Sequence, residues 1–467
     1  FRARVWPIPP HAHKRVRIVY TQLLPLEGRA FQYIYPLRSD ATRANPISRI
    51  EFDITVESNL ALQTVEAPNY ESKVSVTRKR ARVEFAATKM VPLSDYVVNV
   101  EMAEKVPMLS MTTHERDKVG YFMAQVTPPA TSPAWPPEPV SSYVFLLDTS
   151  ASMDKDARLG QLRFLEMFLT LVGDADVQVI ACDTDCKKWR DGSVSLKPDD
   201  LDSILTFARD RLSLGWTDVS KFLRTALAET PEGGVVVYLG DGIPSGPEVE
   251  TSTLVKVLGE FPNRRFSAVA FGPTVDLRLL QELSRQGNGT ARWVRTSTEA
   301  PETARKVFET IVSPAWTGLS LKCSGVETEA VYPGEGERVN MGRQVVYVGR
   351  YRPETLIGEA TCLLKAGTEP NVVQLMAGMS PPSASADSSY LPRLWAQRHL
   401  DSLLRLERTP ERRDSIVALS AEFGIMTPLT SFIVLETEAD RLRFGVKRRF
   451  HMRDGEEFFD AGRDAVV

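Results

Sequence analysis

Five oxygen-bearing side chains in this sequence stand where they could hold a metal ion. Three lie within five residues, in the pattern D-x-S-x-S, and two follow later apolar segments: Asp148, Ser150, Ser152, Thr217 and Asp241. Carboxylate and hydroxyl oxygens are hard donors, which suit Mg²⁺, Mn²⁺ or Ca²⁺ better than zinc. Because Mg²⁺ takes few carboxylates and keeps several waters, this mixed set favours Mg²⁺, with Mn²⁺ and Ca²⁺ as alternatives.

Each of these residues also has a purely structural interpretation. Asp148 could be an ordinary residue at a strand end, and the two serines and Thr217 are of types that cap helices. Asp241 is followed by glycine, and that dipeptide is frequent in turns. Because all five occur in this order at the ends of successive segments, their combination favours a metal site.

The pattern of apolar residues explains how these distant side chains would meet. Between residues 143 and 312, apolar runs of strand length alternate with segments of helical periodicity. The alternation predicts βαβ units, and uniformly apolar strands predict a parallel sheet that helices cover on both faces. Ligands bind beyond the carboxyl ends of such strands, and Asp148 and Asp241 fall at these ends.

Short strands of alternating polarity precede and follow this α/β region. Examples are residues 50–56 and 119–126 before it, and residues 319–323 and 344–351 after it. Their separation by Pro, Gly, Asn and Ser is typical of antiparallel sandwiches. A proline cluster in residues 128–139 predicts a stiff connector, with a proline-rich recognition ligand as the alternative.

Composition excludes several classes of protein. The chain has 467 residues, with 43% hydrophobic and 25% charged residues, which is ordinary for folded domains. Its 57 basic and 60 acidic residues give a net charge of −3, which argues against a protein built to neutralise nucleic-acid phosphates. No apolar run approaches the roughly 18 residues that a membrane-spanning helix needs.

No arrangement of catalytic residues accompanies the metal pattern. A phosphoryl-accepting aspartate usually has a second aspartate two residues on, where this chain has Ser150. The motifs G-x-S-x-G, G-x-x-x-x-G-K-[ST] and H-E-x-x-H are absent, and the five histidines are scattered. The sequence therefore predicts a protein that binds rather than catalyses, with a metal-independent scaffold and a metal-dependent hydrolase as the alternatives.

The four cysteines fall into two pairs. Cys182 and Cys186 flank three residues after an apolar run, and Cys323 and Cys362 lie on separate strand candidates. Each pair could form a disulfide, and each cysteine could equally be a small buried side chain. Two disulfides would suit an exported protein.

Residues from about 142 to 316 resemble a von Willebrand factor type A domain. The metal-ion-dependent adhesion site of that family uses D-x-S-x-S, then a threonine, then an aspartate. This order implies that the five residues named at the outset are its metal ligands. The chain departs from the family pattern at Trp216, where a second glycine is common, and at Gly240, where a threonine hydroxyl is common.

The flanking sequences sharpen the resemblance. The residues 1–20 resemble the end of a vault protein inter-alpha-trypsin domain, and we expect that the chain begins inside a longer protein. Residues 416–436, with the run GIMTPLTS, resemble the segment after the A domain in inter-alpha-trypsin inhibitor heavy chains. This family implies that the bound ion accepts an Asp or Glu side chain of a partner protein. The resemblance also implies an extracytoplasmic location, which is periplasmic, cell-surface or secreted.

These patterns predict a multidomain α/β plus β fold, in which a Rossmann-like doubly wound parallel sheet is inserted between β-sandwich segments. By analogy with the family, strands of residues 47–126 are expected to pack with strands of residues 319–376. A helix-helix-strand segment and a charged tail are expected to follow. The predicted boundaries are 1–40 for the end of the first β domain, 41–127 and 317–380 for the sandwich, 128–140 for the linker, 141–316 for the α/β domain and 390–467 for the carboxy-terminal segment.

Overall fold

The computed structural model describes most of the chain. The described residues are 18, 20–24, 26–37, 46–131, 140–197, 199–211, 215, 218–244, 251–356, 360–368, 371–379, 388–404 and 409–430. The chain falls into two compact units, residues 1–408 and residues 409–467. Within the described residues, no helix is long and apolar enough to cross a membrane.

The first part of the larger unit consists of β-strands and their connections within the described residues. They are β1 (Leu26–Glu27), β2 (Ala30–Tyr35), β3 (Ile47–Glu57), β4 (Leu62–Glu66), β5 (Lys73–Val76), β6 (Arg80–Met90), β7 (Tyr96–Met102), β8 (Leu109–Arg116) and β9 (Val119–Val126). Strands β1 to β7 form two antiparallel sheets, in the orders β1-β2-β7-β4 and β3-β6-β5. Their apolar faces share one core, in which the ring of Phe52 stacks on that of Tyr96 at 4.2 Å.

Strands and helices alternate through the middle of the unit, as the apolar pattern predicts. The elements are β10 (Ser142–Asp148), α1 (Lys155–Leu169), β11 (Asp176–Cys182), β12 (Cys186–Lys188), β13 (Val194–Ser195), α2 (Asp200–Asp210), α3 (Val219–Glu229), β14 (Val235–Gly240), α4 (Thr251–Gly259), β15 (Arg265–Phe271), α5 (Leu277–Gln286), β16 (Ala291–Val294) and α6 (Ala300–Val312). The sheet order is β12-β11-β10-β14-β15-β16, with β13 also paired to β11.

This sheet is doubly wound, which confirms the predicted fold class. Strands β11, β10, β14, β15 and β16 pair in parallel, and β12 adds an antiparallel edge. Helices α1, α2 and α6 contribute to the core on one face, and α3, α4 and α5 to the core on the other. Strand β10 is central, and its pairing of Leu147 with Leu239 sets Asp148 beside Gly240 of β14.

Strands from both sides of the α/β region form one sandwich. After the α/β region come β17 (Ala315–Ser324), β18 (Thr328–Tyr332), β19 (Glu337–Asn340), β20 (Val345–Tyr351), β21 (Ala360–Thr368), β22 (Asn371–Met379) and α7 (Leu391–Leu404). One sheet has the order β19-β17-β21-β22, and the other has the order β18-β20-β9-β8. Strand β9 pairs with β20 from Val126 opposite Val345 to Gly120 opposite Tyr351.

The expected partnership between the flanks is thus correct for β8 and β9 and wrong for the strands before them. In the described residues, strands β3 to β7 pair with one another and with β2, and none pairs with a strand after residue 314. The physical reason is that these strands satisfy one another: the antiparallel pair of β3 and β6 buries its apolar face against β7, so it needs no partner beyond the α/β region. The predicted domain boundaries themselves stay a prediction.

The smaller unit is described over residues 409–430. Its helix α8 (Pro410–Phe423) begins at Thr409, whose side chain accepts the amide hydrogen of Arg412, and ends at Gly424 in the left-handed region at φ 58°. Three hydroxyls form hydrogen bonds across the following turn, with Thr430 Oγ1 at 2.7 Å from Ser420 Oγ and 2.9 Å from Thr427 Oγ1. The strand predicted at residues 432–435, the charged tail, residues 1–17 and most of the proline cluster lie outside the described residues.

Candidate metal centre

The carboxyl ends of two adjacent parallel strands bring four of the five predicted residues to one edge of the sheet. Asp148 is the last residue of β10, and Ser150 and Ser152 follow it. Asp241 directly follows Gly240, the last residue of the neighbouring strand β14. Thr217, the remaining predicted residue, lies outside the described residues.

The D-x-S-x-S segment forms a tight turn around its own carboxylate. The backbone N–H of Ser150 donates to Asp148 Oδ1 at 2.9 Å, and the hydroxyls of Ser150 and Ser152 lie 2.9 Å apart. Neither serine caps helix α1, because that position belongs to Asp154, which accepts the N–H of Ala157. Both serine hydroxyls are therefore available at the edge of the sheet.

Two carboxylates are buried here without a basic partner. Asp148 is 0% exposed and Asp241 is 2% exposed. Among the described residues, no ion pair within 4.0 Å joins a Lys, Arg or His nitrogen to either carboxylate. The guanidinium of Arg158 feels the charge of Asp148 from farther away, but its own burial outweighs this effect and lowers the pKa of Arg158. Burial raises the pKa of Asp148 to about 6, and the negative charge of Asp241 adds to this rise. A nearby cation would relieve both carboxylates.

Gly215, which precedes Thr217 by two residues in the sequence, packs against the same turn. The N–H of Ala151 donates to the carbonyl oxygen of Gly215 at 3.2 Å. Gly215 has φ +82°, and a side chain there would overlap Thr184, so only glycine fits this close approach. Three residues after Gly215, Asp218 has a structural role, because its side chain caps α3 by accepting the N–H of Lys221.

Asp241 is held by its own turn. Its Oδ1 accepts the N–H of Ile243 at 2.9 Å, and its carbonyl oxygen accepts the N–H of Asp276 at 2.9 Å. Gly242 between them has φ +70°, and a side chain there would press on Leu280. The Asp241-Gly242 turn therefore has a structural role as well, and it leaves the second carboxylate oxygen of Asp241 with spare acceptor capacity.

Two buried polar residues that the sequence did not single out form hydrogen bonds to Asp148. Gln161 of α1 is buried, and its Nε2 donates to the carbonyl oxygens of Asp148 at 2.9 Å and Leu239 at 2.7 Å. Tyr238 of β14 is buried too, and its hydroxyl donates to Asp148 Oδ2 at 2.8 Å. The available signal was polarity: one is a glutamine on the buried face of a helix and the other a tyrosine in an aliphatic strand.

Both cysteine pairs are disulfides. Cys182 joins Cys186, and Cys323 joins Cys362. Cys182 pairs with Asp148 in the sheet register, and its carbonyl oxygen accepts the N–H of Thr149 at 2.7 Å. The first disulfide therefore closes the loop beside the D-x-S-x-S turn.

The donor chemistry of this edge suits a hard cation. Two carboxylates and two hydroxyls meet there, and hard divalent ions accept such oxygens together with water. No group of three or more His, Cys, Asp or Glu side chains is placed to hold a metal within the described ranges. The described side chains at this edge therefore do not form a site of sulfur and imidazole ligands for a soft metal. They fit an oxygen site with few carboxylates.

Comparison with known proteins agrees with this architecture. Residues 142–293 match the family model of the von Willebrand factor type A domain. Human inter-alpha-trypsin inhibitor heavy chain H4 is 23% identical over 359 residues, which cover 68% of this chain and 38% of that protein. Human heavy chain H6 is 21% identical over 458 residues, which cover 88% of this chain and 33% of that protein.

Among solved structures, a von Willebrand factor type A protein from Catenulispora acidiphila aligns with 68% of this chain and 87% of its own. That alignment has 13% identity and a TM-score of 0.43. The matched parts span 38% and 33% of the lengths of the two heavy chains above. The family resemblance read from the sequence is confirmed: residues 142–293 match the von Willebrand factor type A domain, and the chain is similar to inter-alpha-trypsin inhibitor heavy chains.

Proposed function

We propose that this chain is a non-catalytic binding protein whose α/β domain holds a divalent cation and, through it, an acidic side chain of a partner protein. One observation carries the proposal: two carboxylates that make no ion pair in the described residues are buried side by side at the ends of β10 and β14, next to the mutually hydrogen-bonded hydroxyls of Ser150 and Ser152. Burying such charges is costly unless an opposite charge compensates them. A divalent cation supplies that charge.

The ligands of the ion are Asp148, Ser150, Ser152, Thr217 and Asp241. Only two of the five are charged, so no third carboxylate shields the open side of the ion. A carboxylate of a partner protein completes the coordination from that side. Since Mg²⁺ accepts few carboxylates and retains water, it is the proposed ion, with Mn²⁺ and Ca²⁺ as alternatives.

The location that we propose is extracytoplasmic. Two disulfides join all four cysteines, and disulfides persist in oxidising compartments. The similarity to inter-alpha-trypsin inhibitor heavy chains supports the same location. A protein partner reached through a surface-exposed ion is compatible with such a compartment, and the small net charge offers no general attraction for nucleic acid.

Calorimetric titration of Mg²⁺ and Mn²⁺ tests the cation site. We expect wild-type protein to bind one ion per chain, and Asp148→Asn to lose most of this affinity because half of the carboxylate charge is removed. The matched control is Asp185→Asn, since Asp185 lies in a loop at the same edge but is exposed and paired with Lys221. Equal binding by wild type and Asp148→Asn contradicts the proposal.

A second measurement tests the open coordination position. Crystals grown with Mg²⁺ and a peptide that contains a single glutamate are expected to show its carboxylate on the ion. Capture of a partner protein should then depend on Mg²⁺, disappear with EDTA, and disappear with Asp148→Asn but not with Asp185→Asn. Capture that resists the chelator supports the metal-independent scaffold instead, and turnover of a phosphoester that depends on Asp148 supports the hydrolase.

A further inference from the structure

The side chain of Tyr238 occupies a place that needs explaining, because it carries a hydroxyl into the interior between two strand ends. Its strand is otherwise aliphatic, with the sequence VVVYLG. The tyrosine is 2% exposed, and its hydroxyl lies between the two turns that carry Asp148 and Asp241. A phenylalanine would fill the same apolar volume, so packing alone does not account for the hydroxyl.

That hydroxyl makes two directional hydrogen bonds. It donates to Asp148 Oδ2 at 2.8 Å and accepts the backbone N–H of Gly242 at 3.1 Å. The other oxygen of the carboxylate, Oδ1, is held by the N–H of Ser150 at 2.9 Å. Both oxygens of Asp148 are thus oriented by donors, and one of these donors is tied in turn to the residue after Asp241.

This arrangement requires a glycine at position 240. A Cβ at position 240 would overlap the Tyr238 hydroxyl oxygen and the Cβ of Asp148. The tyrosine hydroxyl therefore sits in the space that a side chain at 240 would take. Because glycine has no side chain, Tyr238, two residues earlier in the strand, can reach the carboxylate of Asp148.

The geometry also gives the hydroxyl the role of a donor, because it donates its hydrogen to Asp148 Oδ2 and accepts the N–H of Gly242. A protonated phenol can donate to a carboxylate but cannot compete with it as an anionic ligand. Tyr238 is consequently suited to orient Asp148 rather than to bind an ion itself.

We infer that Tyr238 is a positioning residue of the cation site, which sets the orientation of Asp148 and couples it to the turn of Asp241. The inference rests on the proposed function, because it assumes that Asp148 serves a cation. Residues that hydrogen-bond a metal ligand commonly change metal affinity by about 10- to 100-fold when they are lost. The isosteric variant Tyr238→Phe removes the hydroxyl and keeps the ring.

Mn²⁺ titration followed by electron paramagnetic resonance, with Mg²⁺ in competition, tests this assignment on the full chain. We expect Tyr238→Phe to weaken Mn²⁺ binding about 10-fold or more. The matched control is Tyr143→Phe, because Tyr143 is equally buried at 2% exposure but lies near the opposite end of β10. The control is expected to bind Mn²⁺ with wild-type affinity.

A spectroscopic readout separates positioning from simple packing. Binding of Mg²⁺ to Asp148 changes the field at the Tyr238 hydroxyl, so the near-ultraviolet difference spectrum of wild type should contain a tyrosine band. The band should persist in Tyr143→Phe and vanish in Tyr238→Phe. Wild-type protein that binds the ion without any tyrosine band overturns the inference, even if Tyr238→Phe does not fold.

The remaining outcomes are equally decisive. Tyr238→Phe that melts at a lower temperature but binds Mn²⁺ as wild type does shows a packing role, and the inference fails while the proposed function stands. Wild-type protein that binds neither ion overturns the proposed function, and this inference with it. Weakened binding together with loss of the tyrosine band supports both.

Discussion

Asp148 and Asp241 carry two negative charges into a part of the molecule that water hardly reaches. Burial is the main cause that raises the pKa of Asp148 to about 6, and the negative charge of Asp241 adds to the rise. In the absence of a cation, an acid whose pKa is raised by folding lowers the free energy of unfolding at any pH well above that pKa. The carboxylate of Asp148, a proposed ligand of the ion, thus destabilises the ion-free fold.

Neutralising Asp148 should therefore stabilise the protein when no cation is present. With EDTA at about pH 8, we expect Asp148→Asn to raise the free energy of unfolding by roughly 1–3 kcal/mol, because the buried charge is gone. Saturating Mg²⁺ should stabilise wild type and leave Asp148→Asn unchanged, since a ligand stabilises only the state that binds it. Chemical denaturation with and without the ion measures both effects.

The control for this prediction is again Asp185→Asn. Asp185 is exposed and Lys221 lowers its pKa together with the N–H of Cys186, so neutralising it should give no gain in stability. A loss of stability in ion-free Asp148→Asn, or an equal response of both variants to Mg²⁺, contradicts the prediction.

Position 240 shows how a single residue can mislead when it is compared alone. A glycine there reads as the loss of a hydroxyl that the type A family often carries. In the folded chain, the Tyr238 hydroxyl lies in that space and bonds Asp148. The missing hydroxyl at position 240 and the tyrosine at position 238 are therefore linked, because the Tyr238 hydroxyl needs the space that a side chain at 240 would fill.

At the scale of elements, helix α1 fastens the two strands whose ends carry the site. Gln161 donates from one amide group to the carbonyl oxygens of Asp148 in β10 and Leu239 in β14. Its Oε1 accepts from Arg158, which also donates to the carbonyl oxygen of Ala208. One helix thereby sets how far apart the two strand ends lie.

We expect Gln161→Met to lower the free energy of unfolding by about 1–3 kcal/mol and also to weaken Mg²⁺ binding, because the strand ends lose their common donor. The control is Gln178→Met. Gln178 is equally buried in β11, and its amide also donates to two carbonyl oxygens, those of Arg190 and Gly192.

That control should lose a similar amount of stability but keep the affinity for Mg²⁺, because Gln178 pairs with Val144, four residues before Asp148. Denaturation and calorimetry on the same samples separate the two effects. Parallel loss of affinity in both variants would show that affinity follows general stability rather than the spacing of the strand ends.

At the scale of the whole molecule, the α/β domain is an insertion in the sequence of a β-sandwich. Strands β9 and β20, which lie before and after it, pair along their length. The core of the sandwich joins Ala124 and Val126 from one side with Trp316 and Leu364 from the other. Neither flank can complete this core by itself.

The two parts should therefore respond differently to truncation. A fragment of residues 140–314 contains all helices and strands of the parallel sheet, so we expect it to fold and to bind Mg²⁺ as the full chain does. A fragment that ends at residue 314 should instead expose the apolar face of β9 and bind a hydrophobic dye. Calorimetry and dye fluorescence measure these outcomes.

An isolated domain that fails to melt cooperatively would show that it depends on the sandwich. A truncated chain that binds no dye would show that β8 and β9 find another partner. Either result would contradict the separation of the two cores.

Local signals in the sequence were sufficient for the elements and for the candidate ligands. The fully apolar run of β10, followed by D-x-S-x-S, predicted both a buried parallel strand and oxygen donors at its end, because both follow from residues that are neighbours in the chain. The order of strands and helices predicted the doubly wound sheet for the same reason. The predicted ligand set, with Thr217 outside the described residues, stays a prediction that the titrations above test.

Contacts between distant residues were decided only by the tertiary structure. Nothing near Tyr238 or Gln161 in the sequence indicates that both bond Asp148, since these contacts span 90 and 13 residues. The separate core of β1 to β7 could likewise not be predicted, because alternating polarity indicates which face of a strand is apolar but not which other strand covers that face. Local chemistry made the candidate site recognisable, whereas strand register and side-chain reach determined what orients it.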